Sequence, residues 1–250
     1  MAKINQDFMK RATRVTSFNL VTDDFTTTTY KHEIQTLYAQ HMFPSFDPSK
    51  ALSSITIDGY NKLVRQLKQD DKAQYEKLHN LALKGVGPGE AVLYLLTKNG
   101  HLGGGSSGGV DLVVGPKKYE VKAAKWKSTA TKDSVADFKL GGGLVGMTQI
   151  ESDIQDLAYK LGFKPKGSAE IAGSIFDQMK KKAPAEYNAI EARYQKLAGS
   201  YFGSHETIFI QTGITQSDFG EILAIKRVMP KDILMERFTS KSIKPIIKIK

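Results

Sequence analysis

Apolar and polar positions alternate between residues 110 and 124 in a way that predicts a β-hairpin. The apolar run Val110–Val114 is followed by the turn dipeptide Gly115-Pro116 and then by the alternating segment Tyr119–Ala124. The stretch Leu112–Val114 has no polar residue, which is typical of a strand in a sheet covered on both sides. A charge on such a sheet needs a partner or a metal ion.

The predicted hairpin gathers charged side chains on one face. With residues 115–118 as the loop, Asp111 faces Lys122 and Val113 faces Glu120, because side chains alternate with a period of two. Asp111 and Glu120 are then diagonal neighbours, about 7–8 Å apart at the backbone, so their carboxylates can converge on one ion. The alternative is an exposed face whose ion pairs are worth under about 1 kcal/mol.

A short apolar helix precedes the hairpin and carries one acid near its start. The sequence Gly87-Pro88-Gly89-Glu90 predicts a helix that begins near Pro88. A glutamate in a first turn is favoured by the helix dipole alone. Residues 91–96, however, are too apolar for a surface helix and predict packing on a core near the hairpin. Glu90 is therefore also a candidate site residue.

Helical spacing of apolar residues recurs on both sides of this region, after an irregular segment over residues 1–31. Asp58 is predicted as an N-cap, Thr148–Glu151 as a capping box, and Gly199 lies past the last helix. Strands are expected at 207–212 and 221–228, and the lysine-bearing tail 243–250 suits an edge strand. Helices are predicted over 33–43, 58–84, 148–161, 168–182 and 184–198.

Composition narrows the chemistry. The chain of 250 residues is 40% hydrophobic, enough for a real core, and has a formal net charge of +10, which fits a polyanionic partner. It has no cysteine, and its five histidines show no metal-ligand spacing, so any metal is expected on oxygen ligands. With a charged N-terminus and no apolar run near about 18 residues, an intracellular protein without a membrane span is expected.

Asp111, followed nine to eleven residues later by Glu120-Val121-Lys122 and preceded by a helix with Glu90, resembles the PD-(D/E)xK nuclease superfamily. The likeness covers roughly residues 85–125, with Val110 where many members have proline. It implies an α/β (α+β) fold with a mixed central β-sheet flanked by helices, the restriction-endonuclease-like core. Residues 1–84 would be an arm and helices bracing a core over 85–250, with a helical insertion at about 125–200.

The resemblance also implies an activity and its residues. It implies a Mg²⁺-dependent DNA endonuclease that hydrolyses phosphodiester bonds, with Mn²⁺ as an alternative metal. Asp111 and Glu120, with Glu90 as the helical acid, would hold the metal, and all three would be catalytic together with Lys122. Lys122 would stabilise the attacking water or the transition state, since a lysine beside two carboxylates should stay charged.

Several lysines near the hairpin are candidates for contacts with DNA phosphates. Lys117 and Lys118 lie in the predicted turn, and Lys125 and Lys127 follow the second strand. The glycine- and serine-rich stretch 103–109 is either a flexible connector or a backbone that lets a phosphate approach closely.

The expected partner is DNA in its double-stranded form, and cleavage of both strands favours a homodimer. The alternative is a non-enzymatic DNA-associated protein, such as a phage structural or assembly protein that keeps a nuclease-like fold. A phosphatase or ribonuclease would use similar metal chemistry. The presence of two carboxylates favours the enzyme, because without a metal they would repel phosphate. An intracellular, phage-encoded origin fits either reading.

Overall fold

The computed structural model describes residues 47–79, 87–102, 110–128, 134–137, 146–167, 171, 174–212, 219–235 and 246–248. The predicted irregular arm over 1–31, the helix over 33–43 and the glycine-rich stretch 103–109 lie outside the described residues.

The described chain contains five α-helices and eight strands. They form an α/β fold with a mixed sheet flanked by helices, as predicted. None of the helices in these ranges is long and apolar enough to cross a membrane. The helices are α1 (Ile57–His79), α2 (Pro88–Leu95), α3 (Met147–Lys160), α4 (Ser174–Lys182) and α5 (Pro184–Phe202). The strands are β1 (Gly100–Leu102), β2 (Leu112–Val114), β3 (Lys117–Ser128), β4 (Ser134–Asp137), β5 (Glu206–Gln211), β6 (Ile222–Lys226), β7 (Ile233–Leu234) and β8 (Ile246–Lys248).

The chain forms two compact units, each built from two separate stretches. The first unit comprises residues 1–123 and 205–225, and the second comprises residues 124–204 and 226–250. The predicted helical insertion over 125–200 falls within the first stretch of the second unit. The predicted boundary after residue 84 stays a prediction.

Helix α1 of the first unit starts and bends at side-chain caps. Thr56 is its N-cap, since its Oγ1 accepts a hydrogen bond from the Gly59 amide at 3.2 Å. The predicted N-cap Asp58 is wrong, because it lies in the first turn. At Asp71 the backbone leaves the helical region (φ −157°, ψ 82°), and Asp71 Oδ1 accepts from the Gln74 amide at 3.0 Å. The cap restarts the helix after the kink.

The sheet of the first unit has the order β1-β2-β3-β5-β6. Every residue from Ala91 to Leu95 of helix α2 is buried, as is its C-cap residue Leu96. The helix packs with α1 and the sheet in one core. The edge strand β6 is partly protected because the Asn61 side chain exchanges two hydrogen bonds with the Ile222 backbone, at 3.0 and 2.7 Å. The largest contributors to this core include Tyr60, Tyr75, Tyr94, Tyr119 and Leu67.

Two contacts indicate that β5 runs parallel to β3. Lys117 Nζ lies 3.7 Å from Glu206 Oε2. A Cβ atom on Gly89 would lie 3.0 Å from Ile210 Cδ1 and 3.7 Å from Val121 Cγ1, so Val121 and Ile210 are also neighbours. In both pairs the β5 residue is 89 positions after its β3 partner. Positions that advance together define parallel strands, which need a long crossover connection.

The second unit packs three helices on one another. Arg193 Nη2 donates to Asp153 Oδ2 at 2.5 Å and Lys160 Nζ to Glu186 Oε1 at 3.2 Å, so α3 and α5 run antiparallel. The predicted Thr148–Glu151 capping box is wrong, because α3 begins at Met147 and its N-cap is Gly146, which has φ 93° and makes no side-chain cap.

Two further boundaries of the second unit differ from the sequence prediction. Helix α5 continues to Phe202, so Gly199 lies inside it, where a Cβ atom would come within 3.1 Å of Pro230 Cγ. Strand β8 was expected at a sheet edge, but it lies between β4 and β7 and pairs with both. The proline and lysines of the tail therefore do not mark an edge here.

Candidate active site

The β2–β3 hairpin has a tighter turn than predicted. Leu112 pairs with Tyr119 and Val114 with Lys117, which leaves Gly115-Pro116 as a two-residue loop. Gly115 has φ 58°, the conformation that such turns require at their first position. The predicted four-residue loop is therefore wrong and the register is shifted by two residues. Because the side-chain period is also two, the same charged residues still share one face.

Asp111 lies just before β2 and is attached to β3 through both its backbone and its side chain. Its amide donates to the Tyr119 carbonyl at 2.9 Å, and its Oδ2 accepts from the Val121 amide at 2.8 Å. The carboxylate thus takes a place that a backbone carbonyl would occupy in a regular ladder. This holds Asp111 beside Glu120, and the predicted position directly opposite Lys122 is wrong.

Glu120, Lys122 and Asp111 form one ion-pair cluster. Lys122 Nζ pairs with Glu120 Oε1 and lies 3.8 Å from Asp111 Oδ2. The side chains of Glu120, Lys122 and Asp111 are only 5%, 16% and 20% exposed. The cluster is therefore not the exposed surface pair considered as an alternative, because charges this far from water must be held by partners.

Glu90 approaches the same cluster from the N-terminus of α2. It is the third residue of the helix, and its carboxylate turns back to the N-cap residue Gly87, whose amide donates to it. Burial raises the pKa of Glu90 to about 8, and the negative charges of Asp111 and Glu120 contribute, while Gly87 and Lys122 act in the opposite direction. Glu90 therefore caps the helix and lies within electrostatic range of the hairpin acids, and its predicted catalytic role stays a prediction.

Gly89 allows α2 to come this close. A Cβ atom there would lie 3.0 Å from Ile210 Cδ1 and 3.7 Å from Val121 Cγ1, so a side chain at position 89 would fit only if Ile210 or the helix start gave way. Glycine at this position therefore brings Glu90 within electrostatic reach of Asp111 and Lys122.

One residue near the cluster was missed by the sequence interpretation. We infer that Gln211 lies beside Lys122, because these positions also differ by the 89 residues that separate the two contacting pairs of β3 and β5. Gln211 is a fully buried polar residue, and it follows the buried apolar residues Ile208, Phe209 and Ile210. A glutamine at the end of an apolar strand was the sequence signal that could have indicated this residue. Its neighbour on β3 could not be predicted, because it depends on the pairing of two strands that are distant in sequence. We infer that Gln211 helps to line the site.

Three of the four predicted DNA-contacting lysines have side chains that the structure describes. Lys118 is exposed and shares the face of Glu120 and Lys122 by the period of two. Lys117 points to Glu206 on the neighbouring strand β5. Lys125 is exposed on the part of β3 that belongs to the second unit, and the side chain of Lys127 lies outside the described residues.

The donor set suits a hard divalent cation in its chemistry. Asp111 and Glu120 share the ammonium group of Lys122, Glu90 lies within electrostatic range of them, and carboxylate oxygens are the ligands that Mg²⁺ prefers. The raised pKa of Glu90 reflects this excess of negative charge as well as burial. Within the described ranges, however, no three potential ligand side chains are gathered closely enough to hold a metal.

Comparison with known proteins adds no assignment: no family model matches the chain, and no similar protein is found among curated proteins or solved structures.

Proposed function

We propose that the protein is a Mg²⁺-dependent DNA endonuclease of the PD-(D/E)xK type. The observation that carries the proposal is the cluster of Asp111, Glu120 and Lys122, largely removed from solvent, with Glu90 beside it. A carboxyl group with a raised pKa beside other buried charges, as at Glu90, is more common at catalytic sites than on ordinary surfaces.

Asp111 and Glu120 would hold the metal, with Glu90 as a third ligand. Bound Mg²⁺ or Mn²⁺ would polarise a phosphoryl oxygen and supply a nucleophilic water at neutral pH. The carboxylates would turn from their present donors, the Val121 amide, Lys122 and the Gly87 amide, toward the metal.

Lys122 would act as a fixed positive charge at the reacting phosphate. Its ammonium already lies between the carboxylates of Glu120 and Asp111. It would therefore face a phosphate bound to a metal ion that these two carboxylates hold. Preorganised charge of this kind stabilises the negative charge that develops in phosphodiester hydrolysis. Lys118, on the same face of β3, would contact a neighbouring phosphate.

The substrate class follows from charge. A formal net charge of +10 favours a polyanion, and lysine contacts to phosphate position DNA without reading its sequence. Cleavage of both strands of a duplex would need two sites, as in a homodimer.

The test is cleavage of plasmid, linear and branched DNA by the purified protein, with Mg²⁺ or with EDTA. We expect Mg²⁺-dependent nicking that is lost in Asp111→Asn and Glu120→Gln. Arg193→Ala is the matched control, because it removes an ion pair with Asp153 at an exposed site. The absence of metal-dependent cleavage on every substrate, or wild-type cleavage by both site variants, would contradict the proposal.

The non-enzymatic alternative is favoured by one observation. Each acid of the cluster already interacts with a protein donor, as expected if the ions only stabilise the hairpin. The two functions differ in metal binding, which calorimetric titration with Mg²⁺ or Mn²⁺ measures directly. Binding that Asp111→Asn abolishes supports the enzyme, and no binding by the wild-type protein supports a DNA-associated or structural role.

A further inference from the structure

Lysines are concentrated at one end of the helices of the second unit. Lys160 lies in the last turn of α3, Lys164 and Lys166 follow in the next turn of chain, and Lys180–Lys182 end α4. All six side chains are exposed. We call the surface formed by these six lysines the basic end.

Three contacts bring these segments together. Lys182 Nζ lies 5.4 Å from the centre of the Phe163 ring, which joins the end of α4 to the turn after α3. Lys160 Nζ lies 3.2 Å from Glu186 Oε1 in the first turn of α5. The Tyr159 hydroxyl donates to the Pro165 carbonyl at 2.7 Å, which fixes the turn against α3. The lysines therefore share one surface rather than merely one stretch of sequence.

The six lysines outnumber the acidic residues that contact them or lie one helical turn away, which are Asp156, Asp177, Glu186 and Glu191. Glu186 pairs with Lys160, and Glu191 lies 4.0 Å from Lys180 Nζ. Favourable interaction with helix C-termini, worth about 0.3–1 kcal/mol each, accounts for lysines in the last turns of α3 and α4. It does not account for Lys164 and Lys166, which lie beyond the helix. The excess of positive charge indicates an anionic partner.

We propose that the basic end binds the phosphate backbone of a nucleic-acid duplex. Lysine is a compact charge that neutralises phosphates and releases their counterions without reading bases. An anionic membrane is less suitable, because surface binding to lipid also needs inserted apolar side chains. The described residues include three exposed large hydrophobic side chains, Ile57, Tyr159 and Met229. Of these, Tyr159 is next to Lys160 of the basic end, and its hydroxyl donates to the Pro165 carbonyl. The proposal does not rest on the hydrolytic activity.

The test measures binding of the full chain to a DNA duplex by fluorescence anisotropy, in EDTA so that cleavage cannot occur. The variant K164Q/K166Q/K181Q/K182Q keeps the two lysines that contact Glu186 and Glu191. We expect about a tenfold or greater loss of affinity near 0.1 M salt, because each phosphate contact contributes about 0.9 to the slope of log K against log salt. With four lysines removed, that slope should fall by about 3.6.

The matched control K50Q/K62Q/K72Q/K231Q removes the same charge from four other exposed lysines. It should keep most of the affinity, and the corresponding four Lys→Arg substitutions at the basic end should restore wild-type binding. Thermal unfolding checks that each variant is folded. Wild-type duplex binding by the Gln variant, or an equal loss in the control, would overturn the proposal. So would a loss of binding to phosphatidylserine vesicles with duplex binding retained, which would assign the surface to a membrane.

Discussion

The cluster of Asp111, Glu120 and Lys122 and the basic end of the second unit use charge in opposite ways. The cluster side chains are 5–20% exposed, whereas Lys160 and Lys180 are 69% and 50% exposed. Charges withdrawn from water must be fixed by specific partners, and removal of one partner leaves the others uncompensated. Exposed lysines are individually replaceable and act through their sum. Substitution of a single residue should therefore change the stability of the first region strongly. No single substitution should change the stability or the binding of the second region as strongly.

The largest effect is expected from Lys122→Ala. It leaves Asp111 and Glu120 together without their ammonium, which should lower the free energy of unfolding by about 3–5 kcal/mol. Arg193→Ala removes an exposed partner of Asp153 and should cost under about 1 kcal/mol. Urea denaturation of both variants measures the contrast. Equal costs would show that burial does not separate the two regions.

The same Lys122 variant separates stability from chemistry. If the acids hold a metal, Mg²⁺ should bind Lys122→Ala and recover part of the lost stability, while cleavage falls by about 100-fold or more. Titration of the variant with Mg²⁺ in thermal unfolding measures the recovery, and plasmid nicking measures the activity. Cleavage at the wild-type rate would remove Lys122 from the proposed chemistry.

The pKa of Glu90 gives a prediction with a defined sign. The pKa is about 8 in the folded protein and 4.5 in the unfolded chain, so between these values the folded state binds more protons. Stability should therefore fall as pH rises from about 4.5 to about 8. At about 1.4 kcal/mol per pKa unit, discounted for partial exposure, Glu90 should account for about 2–4 kcal/mol.

Glu90→Gln removes this titration while keeping an acceptor for the Gly87 amide. Its stability relative to the wild-type protein should increase between pH 5 and pH 8, as measured by urea denaturation across that range. A difference that does not change with pH would show that burial and the hairpin acids do not raise the pKa of Glu90.

Gly89→Ala tests the approach of α2 to the sheet. The added Cβ atom meets Ile210 Cδ1 at 3.0 Å, and overpacking of this kind costs about 1–3 kcal/mol. Gly167→Ala is the control, because a Cβ atom added there would meet none of the described residues within 4 Å. Thermal unfolding of the pair should show a lowered Tm for Gly89→Ala alone. An unchanged Tm would mean that the helix start tolerates displacement.

The smallest effect on stability is expected at the basic end. Lys164→Gln and Lys181→Gln change exposed side chains and should alter the free energy of unfolding by less than about 0.5 kcal/mol each. Denaturant titration measures this, and a cost comparable with that of Lys122→Ala would mean that the basic end is a structural element.

Local patterns predicted the charged face of the hairpin better than its geometry. The alternation around Asp111 and Glu120 defines which residues share a face. That assignment stayed correct despite the wrong loop length, because the register error was two residues and the side chains alternate with a period of two. Gly115-Pro116 alone supports a two-residue turn, since glycine can take φ 58° at the first position. The side-chain bond from Asp111 to the Val121 amide has no pattern in sequence.

Predictions that needed distant segments were less successful. The inferred position of Gln211 beside Lys122 depends on the parallel pairing of β3 and β5, which residues 129–205 separate in sequence. The tail strand β8 was expected at an edge from its lysines and proline, but β7 supplies a second neighbour for it. Gly199 suggested a helix end, whereas its lack of a side chain is needed for contact with Pro230. In each case tertiary packing overrides a local preference.

The interleaving of the two units along the chain has a consequence for synthesis on the ribosome. Residues 205–225 return to the first unit after the 81 residues of the second unit's first stretch have been made. Strand β5, which borders the acid–lysine cluster, is therefore unavailable while the hairpin emerges. The β5-facing edge of β3 therefore stays unpaired until β5 has been synthesised, and folding of the first unit depends on a slow contact between distant segments. For the same reason, a single truncation of the chain yields neither unit by itself.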